Sequence, residues 1–205
     1  AGVNSIRVFE MTPSVGGVWA NGGVGSYPGA ACDVPSYAYL PLLDQTRFIP
    51  TKKYVSQPEI SAYAELLTDH VGIRDSIRFS RKVIEAKYLG GDKKIWQITT
   101  VDTESEEDIQ VVTCKHFVSA NGPLSSPRLP EFGGMESFNG ESFHTAQWDK
   151  SADLSGKRVG IIGTGASAAQ VITSIADQVE SLHVFQRTPT WALPREDELT
   201  PDDVR

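Results

Sequence analysis

Three stretches of this sequence predict an α/β fold of two parallel-sheet units, the first interrupted by an antiparallel excursion and both incomplete within the chain. The segment "KRVGIIGTGASAAQVITSIADQVESLHVFQRTP" reads as strand, glycine turn, helix and strand. "IRVFE" reads as a brief apolar strand ending in an acid, a counterpart of "LHVFQ" in the later unit. Between them lie three β-rich runs too closely spaced for parallel crossovers, which predicts a meander.

The chain is 205 residues long, with 40% hydrophobic and 22% charged residues, the balance of a folded globular chain. Its formal charge of −7 gives no reason to expect a nucleic-acid or anionic-membrane surface. The two cysteines, Cys32 and Cys114, form neither a metal-like spacing nor a disulfide framework, so a reducing, cytoplasmic setting is expected. No apolar run reaches the roughly 20 residues that span a bilayer.

In chain order, "AGVN" is expected to close a helix, and the strand around Ile6, Val8 and Phe9 ends at Glu10. Residues 11–45 hold many glycines and prolines with interleaved aromatics and no sustained period, which predicts a long loop lining a ligand. "QPEISAYAELLTDHVGI" is the clearest early helix. Pro58 suits its first turn, Ile60, Tyr63, Leu66, Leu67 and Val71 recur at helical spacing, and Gly72 terminates it. "IRFSRKVIEAKYL", "KIWQITTVD" and "IQVVTCKHFVSAN" read as three strands, with the acidic turn "TESEED" a solvated face. "GPLSSPRLPEFGGM" is a connector rich in proline and glycine. The expected division is a first domain over 1–122, a linker over 123–150 and the start of a second domain over 151–205. The final "EDELTPDDVR" is expected to be polar without an element of its own.

Val159, Ile161 and Ile162 lead directly into Gly163, Thr164, Gly165, Ala166, Ser167 and Ala168. In a Rossmann-like unit the first glycine permits the tight turn, the second lets backbone approach a diphosphate, and a small third residue permits close helix–strand packing. Amides at the start of the helix would face the negative ligand. A turn with no nucleotide and an S-adenosylmethionine site are the other readings. Where the second strand of an NAD-selective unit commonly ends in an acid, this chain has Gln186, then Arg187 and Thr188. A guanidinium there suits a 2′-phosphate, so NADPH is expected over NADH; a surface arginine at a strand end is the alternative. Glu10 repeats the register with opposite sign and suits a plain ribose, as in FAD or NAD, or is an ordinary edge acid. Its glycine loop would lie upstream of Ala1.

"FNGESFHTAQW" places Phe138, Gly140, His144 and Trp148 just ahead of the glycine turn. Gly140 is expected to adopt a backbone conformation costly for other residues, Phe138 and Trp148 to anchor the segment by burial, and His144 to bond to two surfaces at once, a latch over a domain junction. A well-packed connector histidine is the plainer reading.

With Asp149 following, these residues resemble the fingerprint of the class B flavoprotein monooxygenases, and specifically the Baeyer–Villiger monooxygenases. "GGVW", "YPGAACDVPS", "SANGPLSSPRLPEF", "GTGASA" and "VFQRTP" extend the likeness over essentially the whole chain. The resemblance implies an FAD domain and an NADPH domain. It also implies a reaction in which reduced flavin and oxygen give a C4a-peroxyflavin that adds to a ketone, leaving an ester or lactone. Glu10 would hold the FAD ribose, Gly16, Gly17 and Trp19 would belong to the flavin-side loop, and Asp33 would lie near the isoalloxazine. Asp33 and His144 form the implied catalytic set, His144 by coupling the domains rather than by transferring a proton. On the residues alone, Asp33 could instead cap a turn, and Cys32 beside it reads as packing. The arginine implied to stabilise the oxygenated flavin would lie past Arg205, so the chain is expected to be a central piece with poor FAD retention and no turnover of its own. A related monooxygenase acting on nitrogen or sulfur, and a non-catalytic nucleotide-binding remnant, are the competing functions.

Overall fold

A computed structural model describes residues 5–203 of the chain. The helical turn expected over the first residues lies outside that range. Strand β1, Val8–Phe9, pairs in parallel with β2, Ile77–Arg78. Between them run two single-turn helices, α1 (Ser36–Tyr39) and α2 (Leu43–Thr46), and the long helix α3 (Gln57–Val71). Pro58 lies in the first turn of α3, and Gly72 closes it with φ 72°. Ile60 and Tyr63 are buried and Leu67 packs against them, whereas Leu66 and Val71 are exposed. This narrows the expected apolar stripe.

The first core gathers Cys32, Leu40, Val55, Ile60 and Tyr63, with Trp19, Leu43, Phe48 and Leu67 packed against it. The buried Ser36 ties this core to the chain before α3: its Oγ donates to the carbonyls of Lys52 and Lys53 and accepts from Val55 N–H. Such pairing is what a buried hydroxyl requires.

The run expected as one strand from residue 77 is broken at Phe79–Ser80. Ser80 takes φ 52°, and the chain leaves the parallel pair to begin β3, Arg81–Leu89. β3, β4 (Ile95–Asp102) and β5 (Gln110–Cys114) form the predicted antiparallel meander, with a register irregularity between Val83 and Glu85. β5 is shorter than expected. Cys114 already lies opposite Trp96, next to the start of β4, so the following residues have almost no ladder left to join.

The second unit is the expected strand–turn–helix–strand. β6 (Arg158–Ile162) pairs in parallel with β7 (Ser181–Phe185), and α4 (Ala166–Ile175) connects them. α4 buries Ala168, Val171 and Ile175, which recur at helical spacing. Ile162, Val184 and Phe185 remain exposed, an unusual state for a parallel sheet, whose faces are ordinarily both covered.

The polar tail is not free of structure. Residues 195–200 run as a strap along residues 50–54: Leu199 bridges Lys52 in antiparallel fashion, Lys53 N–H donates to Glu198 O at 2.8 Å, and Thr200 N–H to Thr51 O at 2.9 Å. Asp197 pairs with Lys52 at 2.8 Å and accepts from Tyr54 N–H at 3.1 Å. Sequence alone hides this pairing because its partner lies far away in the chain. No helix among the described residues is long and apolar enough to cross a membrane.

Partial desolvation raises the Asp197 pKa, but the Lys52 ammonium and the Tyr54 N–H outweigh it and hold the carboxyl below its ordinary value. A depressed folded value gives stabilisation that is complete above the ordinary carboxylate pKa, about 4, and lost as pH falls through the lower folded value. Acidification from about pH 5 to about pH 2.5 should therefore release the strap. Amide-exchange protection at Lys53 and Thr200 should fall over that window, and Asp197→Asn should lower it already at neutral pH. Full protection in Asp197→Asn would show that backbone pairing alone holds the strap.

Candidate functional site

The glycine turn takes the form that its sequence requires. Gly163, at the carboxyl end of β6, has φ 107°, a left-handed value that side chains resist. Gly165 caps α4 with no side-chain bond, and a Cβ built on it would meet nothing within 4 Å. The space over the helix start is open, and the first amides of α4, from Ala166 through Ala168, have no partner within the helix. Thr164 and Ser167 are half-buried, and Ala166 is exposed.

The chain after β7 returns to the same rim. Gly163 N–H donates to Phe185 O at 2.8 Å, and the Thr164 and Thr190 hydroxyls share a hydrogen bond of 3.1 Å. These two links bracket Arg187 and Thr188 and hold them beside the turn. Arg187 is exposed, and no described residue pairs with its guanidinium.

In the first unit, Glu10 immediately follows β1. Its Oε1 accepts from Thr12 N–H and Thr12 Oγ1, both at 2.8 Å. Gly16 and Gly17 open a one-turn 3-10 helix that ends at Trp19, whose indole N–H donates to Tyr39 Oη at 2.5 Å and whose ring meets Tyr39 edge-on. The carbonyl of Trp19 accepts from the buried Gln57 amide at 2.7 Å. Asp33 is exposed, and none of the described residues donates to its carboxylate, so it does not cap the turn in which it lies. Burial pushes the neighbouring Cys32 thiol up, and the Asp33 charge adds to that shift. A neutral, buried thiol matches the packing role expected of Cys32.

The stretch from Phe138 to Trp148 departs from expectation. Phe138 is 63% exposed, so it is not a buried anchor. Its ring lies over Gly140, where a Cβ would come within 2.6 Å of it. Close approach of the ring, not a left-handed backbone, excludes a larger residue there. Trp148 is half-buried and packs edge-on against Phe143 at 5.0 Å. His144 does not bridge two surfaces: its Nδ1 accepts from Ala146 N–H at 3.0 Å and caps its own 3-10 turn, which leaves the ring hydrogen on Nε2. Bonds from Ser151 hold the carboxyl of Asp149 below its ordinary value.

The two units are fastened elsewhere. Tyr27 Oη donates to Gln170 Oε1 at 2.8 Å, and Gln170 Nε2 donates to Ala31 O at 2.8 Å. Arg195 Nη2 donates to Cys32 O at 2.5 Å while its guanidinium lies 4.3 Å from the centre of the Tyr54 ring. The sequence flags none of these three residues. "YPGAACD" and "QRTP" draw attention nearby, but a glutamine on a helix reads as a solvated position.

The open helix start beside an unpaired arginine, on a parallel βαβ unit, defines a dinucleotide-binding class of site. The family model described as flavin-binding monooxygenase-like matches residues 33–204, and the chain belongs to that family. It is 41% identical over 202 residues to a Baeyer–Villiger monooxygenase of Streptomyces coelicolor, covering 96% of this chain and 36% of that protein. Among solved structures, the polycyclic ketone monooxygenase of Thermothelomyces thermophila superposes with a TM-score of 0.89 at 31% identity, over 99% of this chain and 34% of that one. A crystal structure of OTEMO in complex with FAD and NADP superposes with a TM-score of 0.84 at 35% identity, over 97% of this chain and 37% of that one. The chain thus spans about a third of the length of the curated relatives that it matches.

Proposed function

We propose that the protein containing this chain is an FAD- and NADPH-dependent Baeyer–Villiger monooxygenase, which inserts one oxygen atom of O2 beside the carbonyl of a small-molecule ketone to give an ester or lactone. The observation that carries this reading is the placement of Arg187 and Thr188 on the rim of the open glycine turn. Residues 1–122 form the FAD unit, 123–150 the linker and 151–205 the start of the NADPH unit.

The residues present fit both cofactors. The uncapped amides of Ala166 and Ser167 would hold the NADPH diphosphate, with Gly163, Thr164 and Gly165 leaving room for it. Arg187 and Thr188 would take the 2′-phosphate. On the flavin side, Glu10 would bind ribose through the carboxylate oxygen that Thr12 does not use. Gly16, Gly17 and Trp19 would border the ring, with Asp33 facing it as a fixed negative charge. Bound flavin supplies the redox chemistry, accepting hydride from NADPH and activating oxygen. Phe138, Gly140, His144 and Trp148 would shape the linker, with His144 serving catalysis by holding that segment in place. The two unpaired thiols suit a reducing compartment such as the cytoplasm.

The test is purification of the full-length protein, a visible absorption spectrum, and product analysis with a ketone and a thioether in separate reactions. Bound oxidised flavin and ester formed at the expense of NADPH are expected. Sulfoxide without ester would favour a monooxygenase of heteroatoms, and NADPH binding without flavin would leave a nucleotide-binding remnant.

A further inference from the structure

We infer that Gln170 is a positioning residue whose side-chain amide couples the helix starting at the glycine turn to the loop ending in Asp33; the inference rests on the reading that this turn takes NADPH. Gln170 lies one turn beyond Ala166 on α4, so it moves with the helix start. Its two bonds run in opposite senses. Oε1 accepts from Tyr27 and Nε2 donates to Ala31 O, a combination that an amide provides and that neither a carboxylate nor an apolar side chain can reproduce.

The gripped loop is short, and it is held tightly at both ends. Between Tyr27 and Ala31, Gly29 lies against α4 so closely that a Cβ would come within 2.5 Å of Gln170 O. Ala30 O accepts from Gln57 N–H at 2.8 Å, and Cys32 N–H donates to Val55 O at 3.1 Å, so displacement of the loop reaches Cys32 and Asp33 with little slack. Diphosphate binding at the amides of α4 therefore sets the placement of Asp33 through a continuous chain of bonded groups. A solvated glutamine would need neither bond, and the 139 residues that separate it from Ala31 exclude a local origin for the contact.

The experiment uses the full-length holoenzyme and two variants, Gln170→Leu and Tyr27→Phe. NADP+ affinity, the change that NADP+ causes in the flavin visible spectrum, the rate of flavin bleaching by NADPH, and the ratio of ester to hydrogen peroxide are read for each. Gln170→Leu should bind NADP+ within about twofold of wild type, yet lose the spectral change, slow bleaching by roughly tenfold and form more peroxide. Tyr27→Phe, which loses one hydroxyl and keeps the ring, should move the same readouts in the same direction by a smaller factor, and it decides the matter if Gln170→Leu does not fold. Wild-type behaviour of Gln170→Leu, or of Tyr27→Phe should that variant alone fold, overturns the coupling. So does a parallel loss of NADP+ affinity and bleaching, which a merely structural glutamine would give. A wild type whose flavin NADPH does not bleach overturns the functional reading itself, an outcome separate from all of these.

Discussion

Gly29→Ala is expected to destabilise the protein by on the order of 3 kcal/mol, the sum of a left-handed backbone forced on alanine and an overpacked contact. Gly29 has φ 76°, and its Cβ would lie 2.0 Å from Ser174 Oγ and 2.5 Å from Gln170 O. The serine hydroxyl could rotate aside, although it would give up its own bond of 2.8 Å to Gln170 O. The Gln170 carbonyl belongs to the helix backbone and cannot move without lifting α4 from the loop. Thermal unfolding should therefore fall by roughly 10 °C for a chain of this size. Ser174→Ala alone should cost little, and adding it to Gly29→Ala should not restore the midpoint, because the carbonyl contact remains. A midpoint for Gly29→Ala within about 2 °C of wild type would mean that α4 does not rest on this loop.

The same contact shows where sequence reading stops. The glycine turn was legible because each of its demands is local: an apolar strand, a left-handed residue, a small helix start and a parallel return strand all fall within residues 158–185. α3 was legible through its apolar spacing and its terminating glycine. The helices α1 and α2 were not, since a single turn shows no periodicity. Gln170 and Arg195 were missed for another reason. Their partners Tyr27 and Cys32 lie 143 and 163 residues away, and nothing local marks a polar side chain as spoken for. Phe138 shows the reverse error: an aromatic in a motif reads as a core anchor, and here it covers a glycine at the surface.

Arg187→Ala should remove the preference for NADPH while leaving the fold intact. The side chain is exposed and makes no bond to any described residue, so its loss leaves no orphaned group and thermal stability should be unchanged. Its position is what gives it a role. The bond from Gly163 N–H to Phe185 O and the Thr164–Thr190 pair hold residues 186–189 against the turn, so the guanidinium stands where a ribose 2′-substituent would project from a diphosphate bound at α4. A charge-assisted, bidentate contact to phosphate is worth roughly 10- to 100-fold in binding. In the full-length enzyme, kcat/KM for NADPH should fall by about that factor through KM, with kcat nearly constant, because the contact is the same in the ground and transition states. The NADH parameters should change by less than about twofold, since that cofactor has no phosphate to lose. Arg187→Lys should fall between the two, keeping the charge and losing the fork. Equal losses with both cofactors would place Arg187 on the diphosphate or in the fold instead, and no loss with either would reduce it to a surface arginine at a strand end.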